Sequence, residues 1–145
     1  MTAVETGTAA VTVLIVSRAP GDHDALRGVL CGSKWSVYSA PDVPSALRQM
    51  RRHTNISLIV CDRELWKELL ASTAEMPEAP VLIVSATDAD ERLWAEALNV
   101  GAYDVLAKPF DTAEVVRSLS LGWLHWRRGN EHSPFVQKPG IVAVS

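Results

Sequence analysis

The sequence VTVLIVSR, residues 11–18, begins with an almost unbroken run of strand-forming residues and ends on a serine and an arginine. Two later runs have the same character, ISLIVC at residues 56–61 and VLIVS at residues 81–85. Nearly continuous apolar strands are covered on both faces, as in the centre of a parallel sheet. The sequence therefore predicts three central strands with helices on both sides of the sheet.

Two mixed runs, WSVYSA at residues 35–40 and YDVLA at residues 103–107, suit the edges of that sheet. Segments with helical signals alternate with the five runs, near residues 24–30, 44–52, 65–71, 91–99 and 112–126. Strict alternation indicates parallel strands joined by right-handed crossovers. The expected fold is α/β: a three-layer, doubly wound, flavodoxin-like sheet of five parallel strands in the order 2-1-3-4-5.

Helix boundaries have local signals of their own. Asp42 and Asp111 stand where helices are expected to begin, and Asp111 is followed three residues later by Glu114. Gly32 and Gly101 stand where helices are expected to end.

The composition indicates one globular domain. A chain of 145 residues, 48% hydrophobic and 21% charged, is long enough for one core and short for two. We expect the domain to occupy residues 11–128, with tails at residues 1–10 and 129–145. Because no apolar run is long enough to cross a bilayer and the start lacks a signal-peptide pattern, we expect a cytoplasmic protein without a membrane partner.

Several other classes of function find no support. Cys31 and Cys61 lack metal or redox spacing, and the four histidines are scattered. The first turn contains one glycine, Gly21, so neither a dinucleotide fingerprint nor a P-loop is present. The net charge of −3 and the short basic runs give no reason to expect nucleic-acid binding.

Polar residues follow the predicted strands at one rim of the sheet. In such sheets ligands gather beyond the carboxyl ends of the strands, where the winding direction reverses, here between the first and third strands. The residues at these ends are Ser17 and Arg18, Asp62, Ser85 and Ala86, and Lys108. The pattern therefore brings a carboxylate, hydroxyl groups, an ammonium and a guanidinium to one site.

Asp62 after ISLIVC, the Ser85-Ala86 pair after VLIV, and AKPF at residues 107–110 together resemble the receiver domain of two-component response regulators, the CheY-like family. GAYDVLAKPF, residues 101–110, is similar to that family's Gly-Ala-x-x-x-Leu-x-Lys-Pro-Phe. The resemblance covers about residues 11–126. It implies a stand-alone bacterial signalling module in a phosphorelay that acts by binding proteins: a histidine kinase or phosphotransfer protein and a downstream target.

The resemblance also implies a role for each rim residue. Asp62 would be the nucleophile that accepts a phosphoryl group, so the only enzymatic activity expected is its own phosphorylation and dephosphorylation. Ser85 and the backbone amide of Ala86 would donate to phosphoryl oxygens, and Lys108 would contact them as a point charge. The resemblance implies a cis bond before Pro109 as well.

The end of the first strand departs from the family. Receivers usually carry two acidic residues there that help to hold Mg²⁺, and this chain has Ser17 and Arg18. A hard divalent cation prefers carboxylate oxygens, so the sequence predicts weakened Mg²⁺ binding. With Arg18 and Lys108 against Asp62, the expected formal charge of the rim is +1.

Three residues remain as candidate metal ligands: Asp62, Glu64 and Asp22. Asp22 could fold back and supply a carboxylate, but we expect it to cap the first helix instead, with Asp24 in the first turn. Alternatively Arg18 could replace the ion by pairing with Asp62 or by contacting a phosphate. This leaves a second function open: a phosphorylation-independent pseudo-receiver in which Asp62, Arg18 and Lys108 form a fixed charge cluster.

Three groups of apolar residues bear on packing and on interaction surfaces. Val105 stands where many receivers carry an aromatic switch residue, and Tyr103 comes two positions early. Trp35, Trp66 and Trp94 are expected to pack as core or covering residues. The last helix has more apolar residues than one face can bury, which favours a homodimer through the fourth helix, fifth strand and fifth helix, or a cover made by Phe135 and Val136.

Overall fold

The computed structural model describes residues 11–31 and 35–131. In this part of the chain the strands are β1 (Val11–Val16), β2 (Trp35–Ala40), β3 (Leu58–Asp62), β4 (Val81–Ala86) and β5 (Asp104–Ala107). The helices are α1 (Pro20–Leu30), α2 (Val43–Arg52), α3 (Trp66–Thr73), α4 (Glu91–Val100) and α5 (Thr112–Glu131). The strands form one parallel sheet in the order β2-β1-β3-β4-β5, which confirms the predicted architecture and topology.

The sheet separates two layers of core because successive side chains of a strand point to opposite faces. In β1, Leu14 and Val16 pack on the side covered by α2, α3 and α4. Val13 and Ile15 pack on the other side, which α1 and α5 cover. All six residues of β1 are buried, whereas β2 at the edge is half-exposed, as the apolar patterns predict.

The first helix begins earlier than predicted. It starts at Pro20 rather than near Asp24, because proline at the first helical position has its φ already set and lacks the N–H that would be unsatisfied there. Its N-cap is Ala19, whose side chain makes no capping hydrogen bond. The expectation that Asp22 caps this helix is therefore wrong: Asp22 lies inside the first turn, and Asp24 lies beyond that turn.

Other helix boundaries follow the sequence signals. The N–H of Ser45 donates to Asp42 Oδ1 at 2.9 Å, and this bond is the main reason that the pKa of Asp42 is lowered. The N–H of Glu114 donates to Asp111 Oδ2 at 3.0 Å. Gly101 ends α4 with a φ of 132°, a conformation that glycine adopts without strain. Gly32 lies outside the described residues.

The last helix and the tryptophans differ in part from expectation. Helix α5 extends to Glu131, beyond the predicted end at Trp126. Trp66 is fully buried and Trp35 is partly buried, as packing predicts, whereas Trp94 is 38% exposed and is among the exposed large apolar side chains. Residues 1–10 and 132–145, including Phe135 and Val136, lie outside the described part of the chain.

Two smaller findings concern the buried cysteine and the question of a membrane-spanning helix. Cys61 is buried as a small apolar side chain, and burial, followed by the nearby charge of Asp62, raises the pKa of its thiol. Across residues 11–31 and 35–131, none of the helices has the length and apolar character needed to span a bilayer.

Candidate functional site at the carboxyl edge of the sheet

The sheet brings the predicted residues of three strand ends together. Asp62 is the last residue of β3 and lies opposite Ser85 of β4 in the parallel register. Lys108 follows β5, and its N–H donates to the carbonyl of Ala86 at 2.9 Å. Ser85 is only 2% exposed. The peptide bond between Lys108 and Pro109 is cis, as the family resemblance implies.

Lys108 contacts two carboxylates. Its Nζ donates to Asp62 Oδ1 at 2.6 Å and to Asp22 Oδ2 at 2.7 Å, and these side chains are between 13% and 18% exposed. We call these three residues the Lys108 cluster. Burial by itself lowers the pKa of Lys108, but the hydrogen bonds and charges of Asp22 and Asp62 outweigh burial and leave that pKa above its ordinary value of 10.5. The lysine is therefore a firmly protonated bridge between the two carboxylates.

Ser17 holds Asp22 in this position. The Ser17 hydroxyl donates to Asp22 Oδ2 at 2.6 Å and accepts from the N–H of Ala19 at 3.0 Å. The side chain that follows Asp22 supports the same turn, since His23 Nε2 donates to the carbonyl of Ser17 at 2.8 Å. Within the described residues, the buried Nδ1 of His23 has no hydrogen-bond partner. Asp22 thus faces the rim, although the sequence favoured a capping role.

Arg18 lies outside the cluster. Its Nη1 is 3.9 Å from Glu64 Oε1, and both side chains are 68% exposed. The alternative in which Arg18 pairs with Asp62 is not the arrangement found, because the residue after the buried Ser17 points towards solvent. Asp62 Oδ2 accepts a long bond of 3.4 Å from the N–H of Glu64.

The charge of the site differs from the predicted charge, because Asp22 contacts Lys108 and Arg18 does not. Two carboxylates now face one ammonium, so the cluster carries a formal charge of −1 rather than the +1 that the sequence predicted. A negative site attracts cations more strongly than a positive one. The electrostatic argument against a divalent cation is therefore weaker than the sequence indicated.

The donor set fits magnesium on chemical grounds. In the described part of the chain, no group of three or more His, Cys, Asp or Glu side chains could enclose a metal ion. Magnesium, however, keeps several waters and is usually bound through one or two carboxylates together with phosphate oxygens. Asp22 and Asp62 are two carboxylates that meet at one cationic group. Two carboxylates are the number that Mg²⁺ commonly uses at a phosphoryl site.

Arg63 is a site neighbour that the sequence did not single out. Its N–H donates to the carbonyl of Ser85 at 2.9 Å, and its Nη1 donates to the carbonyl of Asp88 at 3.0 Å. These bonds tie the residue after β3 to the end of β4 and to the loop that follows β4. The only available signal was its position next to Asp62.

A second region carries exposed apolar side chains on α4 and α5. They are Trp94, Leu98, Val100, Val116, Leu121 and Leu124, between 38% and 53% exposed. We call these residues the α4–α5 surface. Val105 of β5 is buried, and the ring of Tyr103 lies 5.0 Å from that of His125. The expected surplus of apolar surface on the last helix is thus present.

Comparisons with known proteins agree with this architecture. The family model described as response regulator receiver domain matches residues 13–120. The probable transcriptional regulatory protein TcrX of Mycobacterium tuberculosis is 32% identical over 113 residues, which cover 75% of this chain and 48% of TcrX. The transcriptional regulatory protein ZraR of Escherichia coli is 29% identical over 138 residues, which cover 92% of this chain and 30% of ZraR. The chain thus spans about half or less of these curated relatives.

Solved structures share the fold. The signal receiver domain of an HD domain-containing protein from Pseudomonas fluorescens has a TM-score of 0.74 at 24% identity, covering 85% of this chain and 93% of that one. The chemotaxis response regulator CheY4 of Vibrio cholerae has a TM-score of 0.69 at 18% identity, covering 79% and 99%. Because the family model matches well over half of the sequence, the chain belongs to the receiver-domain family of response regulators, the bacterial two-component signalling modules.

Proposed function

We propose that this receiver domain accepts a phosphoryl group on Asp62 and then acts by binding other proteins. The observation that carries the proposal is the bond of 2.6 Å between Lys108 Nζ and Asp62 Oδ1, next to Ser85. This arrangement places a cation and a hydroxyl beside a carboxylate at the carboxyl edge of an open sheet. Such an edge is where ligands of doubly wound folds bind.

The chemistry requires positioning and charge neutralisation more than proton transfer. A carboxylate oxygen of Asp62 forms a bond to phosphorus while the bond from phosphorus to the donor's leaving group breaks. Lys108, the Ser85 hydroxyl and the amide of Ala86 then stabilise the phosphoryl oxygens. The donor would be a histidine kinase, a phosphotransfer protein or a small acyl phosphate. Beyond this reaction on its own Asp62, we propose no enzymatic activity.

Asp62 and Asp22 are the residues that would hold magnesium. When bound, the ion would neutralise phosphoryl oxygens during transfer. Ser17 keeps the carboxylate of Asp22 at the rim, and Arg18 is paired away from it with Glu64. We therefore propose that Mg²⁺ assists the reaction although the acidic pair at the end of β1 is missing.

The α4–α5 surface would supply the protein-binding face. Six large apolar side chains on α4 and α5 are more than a third exposed, and exposed apolar surface on neighbouring elements is a feature of protein interaction sites. We propose a homodimer through α4, β5 and α5. A dimer in sedimentation velocity that Leu124→Asp dissociates would support it, and a wild-type monomer at high concentration would contradict it.

Phosphorylation can be tested by intact-mass spectrometry of the full chain. Wild type, Asp62→Ala and Asp24→Ala are incubated with acetyl phosphate or phosphoramidate, with and without Mg²⁺. Asp24 is exposed on α1 and serves as the matched control. We expect one phosphoryl adduct in the wild type and the control, and none in Asp62→Ala. No adduct in the wild type, under conditions that label an ordinary receiver, would contradict the proposal.

One observation favours a second function. Lys108 bridges two carboxylates, as the central cation of a structural ion cluster would. The alternative is a phosphorylation-independent pseudo-receiver that docks through the α4–α5 surface. Its charge cluster would consist of Asp22, Asp62 and Lys108, with Asp22 in place of the expected Arg18. The absence of any adduct, together with partner binding that Asp62→Ala leaves unchanged, would favour it.

A further inference from the structure

We propose that a cavity beside the edge strand β2 binds a small anion that carries more than one phosphate group. The cavity lies between the end of β2 and helix α2, and its volume of about 580 Å³ is in the range of small-molecule sites in proteins. It shares no residue with the Lys108 cluster. The proposal is therefore separate from the phosphorylation of Asp62.

The first observation is the positive charge around this cavity. Three of its lining side chains are arginines of α2: Arg48, Arg51 and Arg52. A fourth arginine, Arg27 of α1, donates from Nη2 to the hydroxyl of the lining residue Ser39 at 2.7 Å. Within residues 11–31 and 35–131, no carboxylate forms an ion pair with any of these four guanidinium groups. The cavity therefore attracts anions, although the net charge of the whole chain is −3.

The carboxylate of Asp42, at the start of α2, is engaged elsewhere. Its Oδ1 accepts from the N–H of Ser45 at 2.9 Å. The hydrogen bonds from Ser45 are the main cause of the lowered pKa of Asp42, and the charge of Arg48 contributes less. Asp42 is thus a neighbour of Arg48 rather than its ion-pair partner, and the guanidinium remains available to an external anion.

Hydroxyl groups orient two of the arginines at the wall of the cavity. Arg48 Nη2 donates to Ser45 Oγ at 3.0 Å, as Arg27 does to Ser39. Gln49 Nε2 donates to the carbonyl of Ser39 at 3.1 Å and so connects α2 to the end of β2. A guanidinium group has five N–H donors, so one bond to a hydroxyl leaves donors that can pair with two phosphate oxygens at once. The wall therefore holds cationic donors in place before a ligand arrives.

The other lining residues indicate which kind of anion fits. Pro41 is the one apolar residue among those that the described structure places around the cavity, and no aromatic ring is among them. A nucleobase would therefore find no aromatic ring on which to stack, and a protein partner would find no apolar pocket for an anchoring side chain. A compact, hydrophilic anion needs neither. Because the fork of arginine matches phosphate oxygens, we assign the site to a small phosphorylated compound.

Helix ends offer a competing explanation for three of the four arginines. Arg27 lies in the last turn of α1, and Arg51 and Arg52 lie in the last turn of α2, where cations interact favourably with the helix dipole. This explanation does not apply to Arg48, which lies before the last turn of α2. The two explanations predict different measurements, since a dipole effect changes stability, whereas a ligand site changes anion binding.

Isothermal titration calorimetry of the full chain with pyrophosphate tests the proposal. The titrations contain no divalent cation, and citrate serves as a carboxylate anion of similar charge. The test variant is Arg48→Gln/Arg52→Gln. The matched control is Arg92→Gln/Arg117→Gln, which removes two exposed arginines from α4 and α5. Circular dichroism and thermal melting monitor folding, and the single variant Arg48→Gln replaces the double variant if the latter does not fold.

We expect the wild type and the control to bind pyrophosphate more tightly than citrate, and the test variant to bind pyrophosphate about tenfold or more weakly. In two-dimensional NMR of the labelled wild type, pyrophosphate should shift the amide signals of Ser39, Ser45 and Gln49.

Four outcomes would overturn the proposal. They are no binding of pyrophosphate by the wild type, equal affinity for citrate, equal weakening in the test variant and the control, and amide shifts confined to Ser85 and Ala86 at the rim. The last outcome would place the anion at the phosphorylation site instead.

Discussion

Two groups of opposite charges lie at the same edge of the sheet, and they differ in both distance and exposure. In the Lys108 cluster the bonds are 2.6 and 2.7 Å long and the side chains are at most 18% exposed. In the pair of Arg18 and Glu64 the distance is 3.9 Å and both side chains are 68% exposed. The comparison shows that charge type alone does not indicate which residues build the site.

The difference begins with two consecutive residues. Ser17 and Arg18 follow the same strand, but Ser17 is buried against the rim and Arg18 extends into solvent. Exposed pairs are screened by water and contribute little to stability, whereas a largely buried pair leaves an uncompensated charge when one partner is removed. Perturbations should therefore have unequal effects on the two groups.

The largest effect is expected for Lys108→Met. It removes the cation between two carboxylates, which then repel each other in a partly buried place, and we expect a loss of about 2–3 kcal/mol in the free energy of unfolding. Urea denaturation measures the change. The control is Lys67→Met, since Lys67 pairs with Glu96 at the exposed surface. Equal destabilisation by both substitutions would show that the Lys108 cluster is no more than a surface pair.

The second effect concerns pH. Because the folded-state pKa of Lys108 lies above its ordinary value of 10.5, the ammonium stabilises the fold fully below that pH and less as the pH rises above it. The difference in unfolding free energy between wild type and Lys108→Met should therefore shrink between about pH 8 and about pH 11. Urea titrations at both pH values test this. A constant difference would mean that the deprotonated lysine stabilises the fold equally well.

The third effect is that of Ser17→Ala. The substitution removes the hydroxyl that donates to the charged Asp22, and we expect a destabilisation of about 1–2 kcal/mol. Ser72→Ala is the matched control, because the exposed Ser72 donates only to the carbonyl of Glu68. A thermal unfolding series compares them. If Ser17→Ala unfolds at the wild-type temperature, Ser17 does not hold Asp22 to any measurable extent.

The smallest effect is expected for the exposed pair. A double-mutant cycle of Arg18→Ala and Glu64→Ala should give a coupling energy of about 0.5 kcal/mol or less, which high salt should abolish. Urea denaturation at low and high ionic strength measures it. A coupling as large as the effect of Lys108→Met would remove the contrast between the two groups.

Much of the fold was predictable because it depends on local patterns. Continuous apolar runs identified β1, β3 and β4 as central, and aspartates such as Asp42 marked helix starts. Asp62 and Lys108 were placed at one rim because parallel strands end at the same edge, whatever the details of packing. The start of α1 was missed because Pro20 can stand either in a loop or at a first helical position.

The sequence by itself determined the architecture, the family and the strand ends that meet at the site. These depend on hydrophobic periodicity and on topology, which survive small errors in element boundaries. Only the tertiary structure decided that Asp22 faces Lys108, that Ser17 holds it there, and that Arg18 turns away to Glu64. Side-chain direction at a strand end and in the first turn of a helix depends on where the helix begins and on burial, so the site's charge became −1 instead of +1.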